Sequence, residues 1–111
     1  MEKELQHIRK IERIVCGCVN EVFIGRDRIE PEELYAGRTN IPLAKRIARG
    51  AVFVVAHDRF YMSYRQLSSY SGITKRNIMR SVRSYKDTPD SDINRVNEFV
   101  NLKLENFPFY E

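Results

Sequence analysis

The side chains with the most chemical potential fall in one short stretch, Thr74 to Lys86. Arg76, Arg80 and Arg83 recur there at helical spacing, with Lys75 and Asn77 beside them. At 100° per residue the three arginines share an arc of about 60°, and Ile78, Val82 and Tyr85 share a similar arc on the opposite side. One face packs and the other is cationic. Guanidinium forks pair bidentately with guanine O6 and N7, Asn pairs with adenine, and Lys meets phosphate as a point charge. Thr74 is a suitable N-cap, and the helix start it would cap presents free N–H groups that can hold a phosphate. Basic faces that are merely solvated usually interleave Glu or Asp as i,i+4 partners, and none occurs between Arg59 and Lys86. The chemistry these residues suit is recognition of double-stranded DNA through the major groove.

Catalytic and metal chemistry find no comparable support. His7, His57, Cys16 and Cys18 could be imagined as a zinc set, but Cys16-Gly17-Cys18 inside a helix has the wrong spacing for a zinc knuckle. His57 ends an apolar helix, where the dipole favours it, and no Ser, Thr or Cys has an evident base. No catalytic residue, metal or cofactor is therefore expected. Phe53, Phe60, Tyr61, Tyr64, Tyr70 and Tyr85 could stack on unpaired bases, yet their helical spacing favours core packing for most, leaving Tyr64 and Tyr70 open.

With 111 residues, 42% hydrophobic and 31% charged, the chain fits one domain, residues 1–111, large enough to stand without a disulfide framework. Cys16 and Cys18 diverge on a helix and are not expected to bridge, which agrees with a reduced, cytoplasmic setting. The longest apolar run, Ala51 to Ala56, is far short of a membrane span, so no membrane association is expected. The formal charge of +4 conceals a strong asymmetry. Between Gly37 and Lys86 eleven basic residues face a single acid, Asp58, while the remainder holds eight basic residues and fourteen acids. One middle segment carries the cationic field.

The elements that must position these groups read as helices. Leu5, Ile8, Ile11, Ile14, Val15, Cys18, Val19 and Val22 form an amphipathic stripe ending near Gly25. Pro31 leads into a short turn, Glu32 to Tyr35, closed by Gly37. Pro42 suits the first position of a central helix running from Leu43 to His57, and its second half is apolar nearly all round. The β-branched run from Val52 to Val55 has no partner strand in the sequence, so helix is expected there too. Ser63 and Gln66 form a capping box for a short helix through Tyr70. Gly72 breaks it where a positive φ is needed, and a helix from Thr74 to Lys86 follows. Asp90 or Ser91 caps a last amphipathic helix through Leu104, and the tail Phe107-Pro108-Phe109-Tyr110 is unassigned. The sum is an all-α fold of five to six helices, with a helix-turn-helix over about residues 63–86.

From about Ile11 to Val100 the chain resembles the C-terminal DNA-binding domain of the bacterial replication initiator DnaA, a Trp-repressor-like helix-turn-helix family. The likeness runs through Val22-Phe23, Ile29-Glu30-Pro31-Glu32-Glu33-Leu34, Ala44-Lys45-Arg46-Ile47-Ala48, Met62-Ser63-Tyr64-Arg65-Gln66-Leu67 and Tyr70-Ser71-Gly72. The resemblance implies a long central helix supporting the motif, a second motif helix in the major groove, and a minor-groove arginine in the basic loop. Arg38 is the nearest match to that arginine, and Lys45 matches a basic residue opening the central helix. Where the family carries Arg-Asp-His-Thr-Thr, this chain has Ile73-Thr74-Lys75-Arg76-Asn77, so its base-reading set differs. No GxxxxGK[ST] occurs, and ATP binding is not carried over.

The expected DNA-binding set is Arg38, Lys45, Arg46, Arg49, Arg65, Thr74, Lys75, Arg76, Asn77, Arg80 and Arg83. Arg76, Arg80 and Arg83 are expected on bases and nearby phosphates; Arg38, Lys45, Arg46, Arg49 and Arg65 are expected mainly on the DNA backbone. A role in replication or transcription regulation would follow. The competing class is a protein-interaction module, docking through the acidic termini or aromatic tail on a larger replication or phage-encoded assembly.

Overall fold

The computed structural model describes residues 2–24, 28–37 and 41–106, with side chains from Leu5 onward; Arg38 and the tail from Phe107 lie outside the described residues. The fold is all-α: α1 (Glu2–Val22), α2 (Leu43–Phe60), α3 (Tyr64–Ser71), α4 (Lys75–Asp87) and α5 (Ser91–Glu105), with a 3-10 turn at Pro31–Glu33. No strand occurs among the described residues, and Val52–Val55 is helical. α1 packs on α2 and α5, α2 also packs on α4, and α3 packs on α4.

The centre is built by the stripes the apolar periodicity marks. Ile8, Ile11, Val15 and Val19 of α1 are fully buried against Ala48, Ala51, Val52 and Phe53 of α2, and Val96 and Val100 of α5 close the far side. α2 is buried through most of its length because neighbours cover it from several directions. It also differs from the sequence expectation at both ends. Pro42 precedes the helix instead of opening it, since its ψ of 147° is extended, although its carbonyl already accepts from the Arg46 N–H at 3.0 Å. The C-terminus runs past His57 to Phe60 and stops at Tyr61, which takes the left-handed conformation at φ 57° while the Met62 N–H returns to the Ala56 carbonyl. Asp58 and Arg59 are used on that extra turn. Asp58 meets Lys86 of α4 at 2.8 Å, and Arg59 donates to Asn101 of α5 at 2.8 Å.

Gly50 lies where α2 crosses α4. A Cβ at this position would stand 3.0 Å from Tyr85 Cβ and 3.1 Å from the Ser81 carbonyl oxygen, so a larger residue would push α4 away. The glycine is thus a close-approach residue, and α4 is seated by it.

Candidate nucleic-acid interface

The α3–α4 unit is set by local capping. Ser63 Oγ accepts from the Gln66 N–H while Gln66 Oε1 accepts from the Ser63 N–H, the reciprocal pair its sequence implies. Gly72 ends α3 at φ 76°, and three residues later α4 begins with Thr74 Oγ1 accepting from the Asn77 N–H at 3.3 Å. Leu67 and Ile78 are fully buried, Val82 and Tyr85 nearly so, and Ile73 packs partly against the same core. Arg76, Arg80 and Arg83 are all exposed, with Lys75, Asn77 and Ser84 exposed beside them. No ion pair engages the three arginines among the described residues.

Two concavities collect the basic groups. One, of about 600 Å³, runs along the outside of α4 and is lined by Lys75, Arg76, Met79, Arg80 and Arg83. The other, of about 630 Å³, separates the 34–37 loop from the start of α4; Arg46, Arg49, Thr74, Asn77 and Arg80 are among the residues that line it. Arg80 is common to both. It also borders a groove reaching Asp90, whose Oδ1 is held by the Asp92 and Ile93 N–H groups as the cap of α5. Lys45, half-buried on the first turn of α2, and Arg65, exposed on α3, line neither concavity.

One residue leaves the expected set. Arg49 is only 7% exposed, and its guanidinium is occupied inside the protein. Nε donates to the Leu34 carbonyl at 2.6 Å, and Nη2 donates to those of Ala36 and Gly37 at 2.7 and 3.2 Å. Its expected contact with a DNA backbone is therefore corrected. α2 is covered all round at this point, so a charge there must find partners within the fold. Burial also lowers its pKa from the usual arginine value. What Arg49 does is clasp the loop that leads into Arg38. Lys86 is likewise engaged, and its hydrogen bond with Asp58 raises its pKa.

Tyr64 and Tyr70 also have internal roles. Tyr64 stacks on His57 with centroids 4.1 Å apart, and His57 Nδ1 donates to the Met62 carbonyl. Tyr70 Oη donates at 2.9 Å to Glu12, a carboxylate 4% exposed that also accepts from Tyr35 Oη. This α1-centred network is absent from the sequence expectations. Its signal was legible, however: Glu12 stands in the buried stripe Ile8, Ile11, Val15, Val19, where a carboxylate needs donors. Desolvation lifts the Glu12 pKa above its ordinary value, against the hydrogen bonds from Tyr35 and Tyr70 and the charge of Arg9.

Cys16 and Cys18 are free and buried, and burial pushes their thiols up to about 12 and about 11. Neither has the thiolate character a reactive nucleophile shows. Among the described residues no group of three His, Cys, Asp or Glu side chains could hold a metal ion. No helix is long and apolar enough to cross a membrane, again among the described residues.

Comparison with protein-family models, with curated proteins and with solved structures finds no match. The DnaA-like reading rests on the motifs quoted above.

Proposed function

We propose that this chain binds double-stranded DNA without performing chemistry on it, with α4 lying in the major groove, and that it serves a regulatory or replication-related role. The observation that carries the reading is the division of α4. Arg76, Arg80 and Arg83 are exposed, while Ile78, Val82 and Tyr85 on the other side are buried in the core. A rigid helix then delivers three unpaired guanidinium groups together, which is what bidentate reading of guanine edges requires. The cleft beside it supports the second part. Arg46 and Arg80 flank a space next to the capped start of α4, so a strand backbone entering there meets cations and helix N–H groups. Lys45 and Arg65 add charge farther from the reading face.

The reading is tested by titrating fluorescent duplex DNA at two salt concentrations. Affinity should fall steeply with salt, because each phosphate contact releases counterions. Arg80→Ala should lose about 1–3 kcal/mol and relax the sequence preference, whereas Lys45→Ala should weaken all duplexes alike. Equal, sequence-independent losses for both would remove the division of roles. Absent or salt-independent binding would replace the proposal with the protein-docking module.

A further inference from the structure

Met79 is an apolar residue set in the cationic face of α4. It is 41% exposed and shares the outer concavity with Lys75, Arg76, Arg80 and Arg83. It lies three residues after Arg76 and four before Arg83, so its thioether sits among their guanidinium groups on the helix surface. It does not belong to the apolar core, whose contribution from α4 comes from Ile78, Val82 and Tyr85. Packing thus does not account for the side chain, and a surface that only had to attract phosphate would gain nothing from it.

We propose that Met79 reads the 5-methyl group of a thymine next to the guanines contacted by the α4 arginines. The inference rests on the duplex-binding reading above and names a base class at that same site. The major-groove edges of the four bases carry hydrogen-bonding groups and one apolar feature, the thymine methyl. An apolar spot bordering guanidinium forks matches a base step in which a methyl group adjoins the O6 and N7 acceptors of guanine. Methionine suits the task because it is unbranched, polarizable and able to follow the groove wall. The neighbouring cations bar an apolar protein surface from the spot, since seating one there would leave several charges desolvated and unpaired.

The test starts from duplexes selected by the full chain out of a random oligonucleotide pool. Each thymine of the enriched site is then replaced singly by deoxyuridine, which removes only the methyl group, and binding is read by fluorescence anisotropy. One replacement should weaken binding by about four-fold, the equivalent of about 0.8 kcal/mol for one buried carbon. Met79→Ala should bind the two duplexes equally, and Met79→Leu, which keeps the apolar bulk, should still distinguish them. Circular dichroism melts of each variant should match the parent, as expected for a half-exposed side chain. An enriched site in which no deoxyuridine replacement matters overturns the thymine assignment and leaves duplex binding standing. So does a Met79→Ala variant that keeps the discrimination. If the pool yields no enriched duplex, the thymine assignment falls, and the two-salt titration decides separately whether duplex binding stands.

Discussion

Arg49 and Arg80 belong to the same basic segment and stand on helices packed against each other, yet their circumstances are opposite. Arg49 is buried and donates to the carbonyls of Leu34, Ala36 and Gly37; Arg80 is exposed, has no ion-pair partner among the described residues, and borders both basic concavities. A buried guanidinium is tolerable only when its donors are satisfied, so Arg49 is an architectural group whatever the protein binds. An exposed one, held by a rigid helix and left unpaired, is available to a partner. Charge counted along the sequence treats the two alike. Charge weighed by burial and bonding separates them.

The separation is most directly broken at Arg49. Arg49→Ala removes the donors to three loop carbonyls and should cost about 2–4 kcal/mol in urea unfolding, whereas Arg80→Ala, which removes an exposed side chain, should stay within about 0.5 kcal/mol of the parent. Comparable stability losses for the two would dissolve the distinction between a buried clasp and an open surface arginine. A smaller effect is expected at the crossing that seats α4. Gly50→Val places side-chain carbons against Tyr85 and the Ser81 carbonyl, and should lose about 1–3 kcal/mol of stability by overpacking. If α4 is displaced in the process, the proposed duplex affinity should fall as well, although no residue proposed to face DNA has changed; a thermal melt and an anisotropy titration on the same sample check this.

The smallest effect tests whether buried charge on the α1 side is also structural. Burial raises the Glu12 pKa above its ordinary value, so the folded chain holds that proton more tightly than the unfolded chain does. Its contribution is then fully present below the unfolded value and is lost as pH rises through the folded one. Glu12→Gln cannot ionise. The melting-temperature difference, parent minus variant, should therefore be most favourable to the parent near about pH 4 and should shrink toward about pH 7. A difference independent of pH would mean that Glu12 is as free to ionise in the folded protein as in the unfolded one.

What local sequence determines is visible element by element. The Ser63–Gln66 capping box, the turn at Gly72, the Thr74 cap and the two-sided pattern of α4 all depend on residues within a few positions of one another, and all appear as the spacing implies, while of the two caps open for α5 the structure uses Asp90. The same holds for the helical state of Val52–Val55, since no other segment could pair with it as a strand. The buried stripe of α1 was legible too, including the anomaly of a carboxylate within it, but not the identity of the donors. Tyr35 and Tyr70 reach Glu12 from the 34–37 loop and from α3, and nothing in local spacing brings those three together.

The outcome at Arg49, Gly50 and Met79 belonged to the tertiary structure. Each sits in a helix whose periodicity says where its side chain points relative to that helix, but not which neighbour or how much solvent it meets. Whether Arg49 bonds to carbonyls or faces water depends on the loop folded over α2. The need for glycine at position 50 comes from the distance to α4, and the exposure of Met79 from the edge of the face that α2 and α3 cover. The chain by itself settled the all-α class, the capped starts of α3 and α4 and the concentration of positive charge in the middle segment, because capping, periodicity and charge are local properties. Which of those charges remain open to a partner was decided by long-range packing, because desolvation and hydrogen-bond satisfaction depend on what the rest of the chain brings alongside.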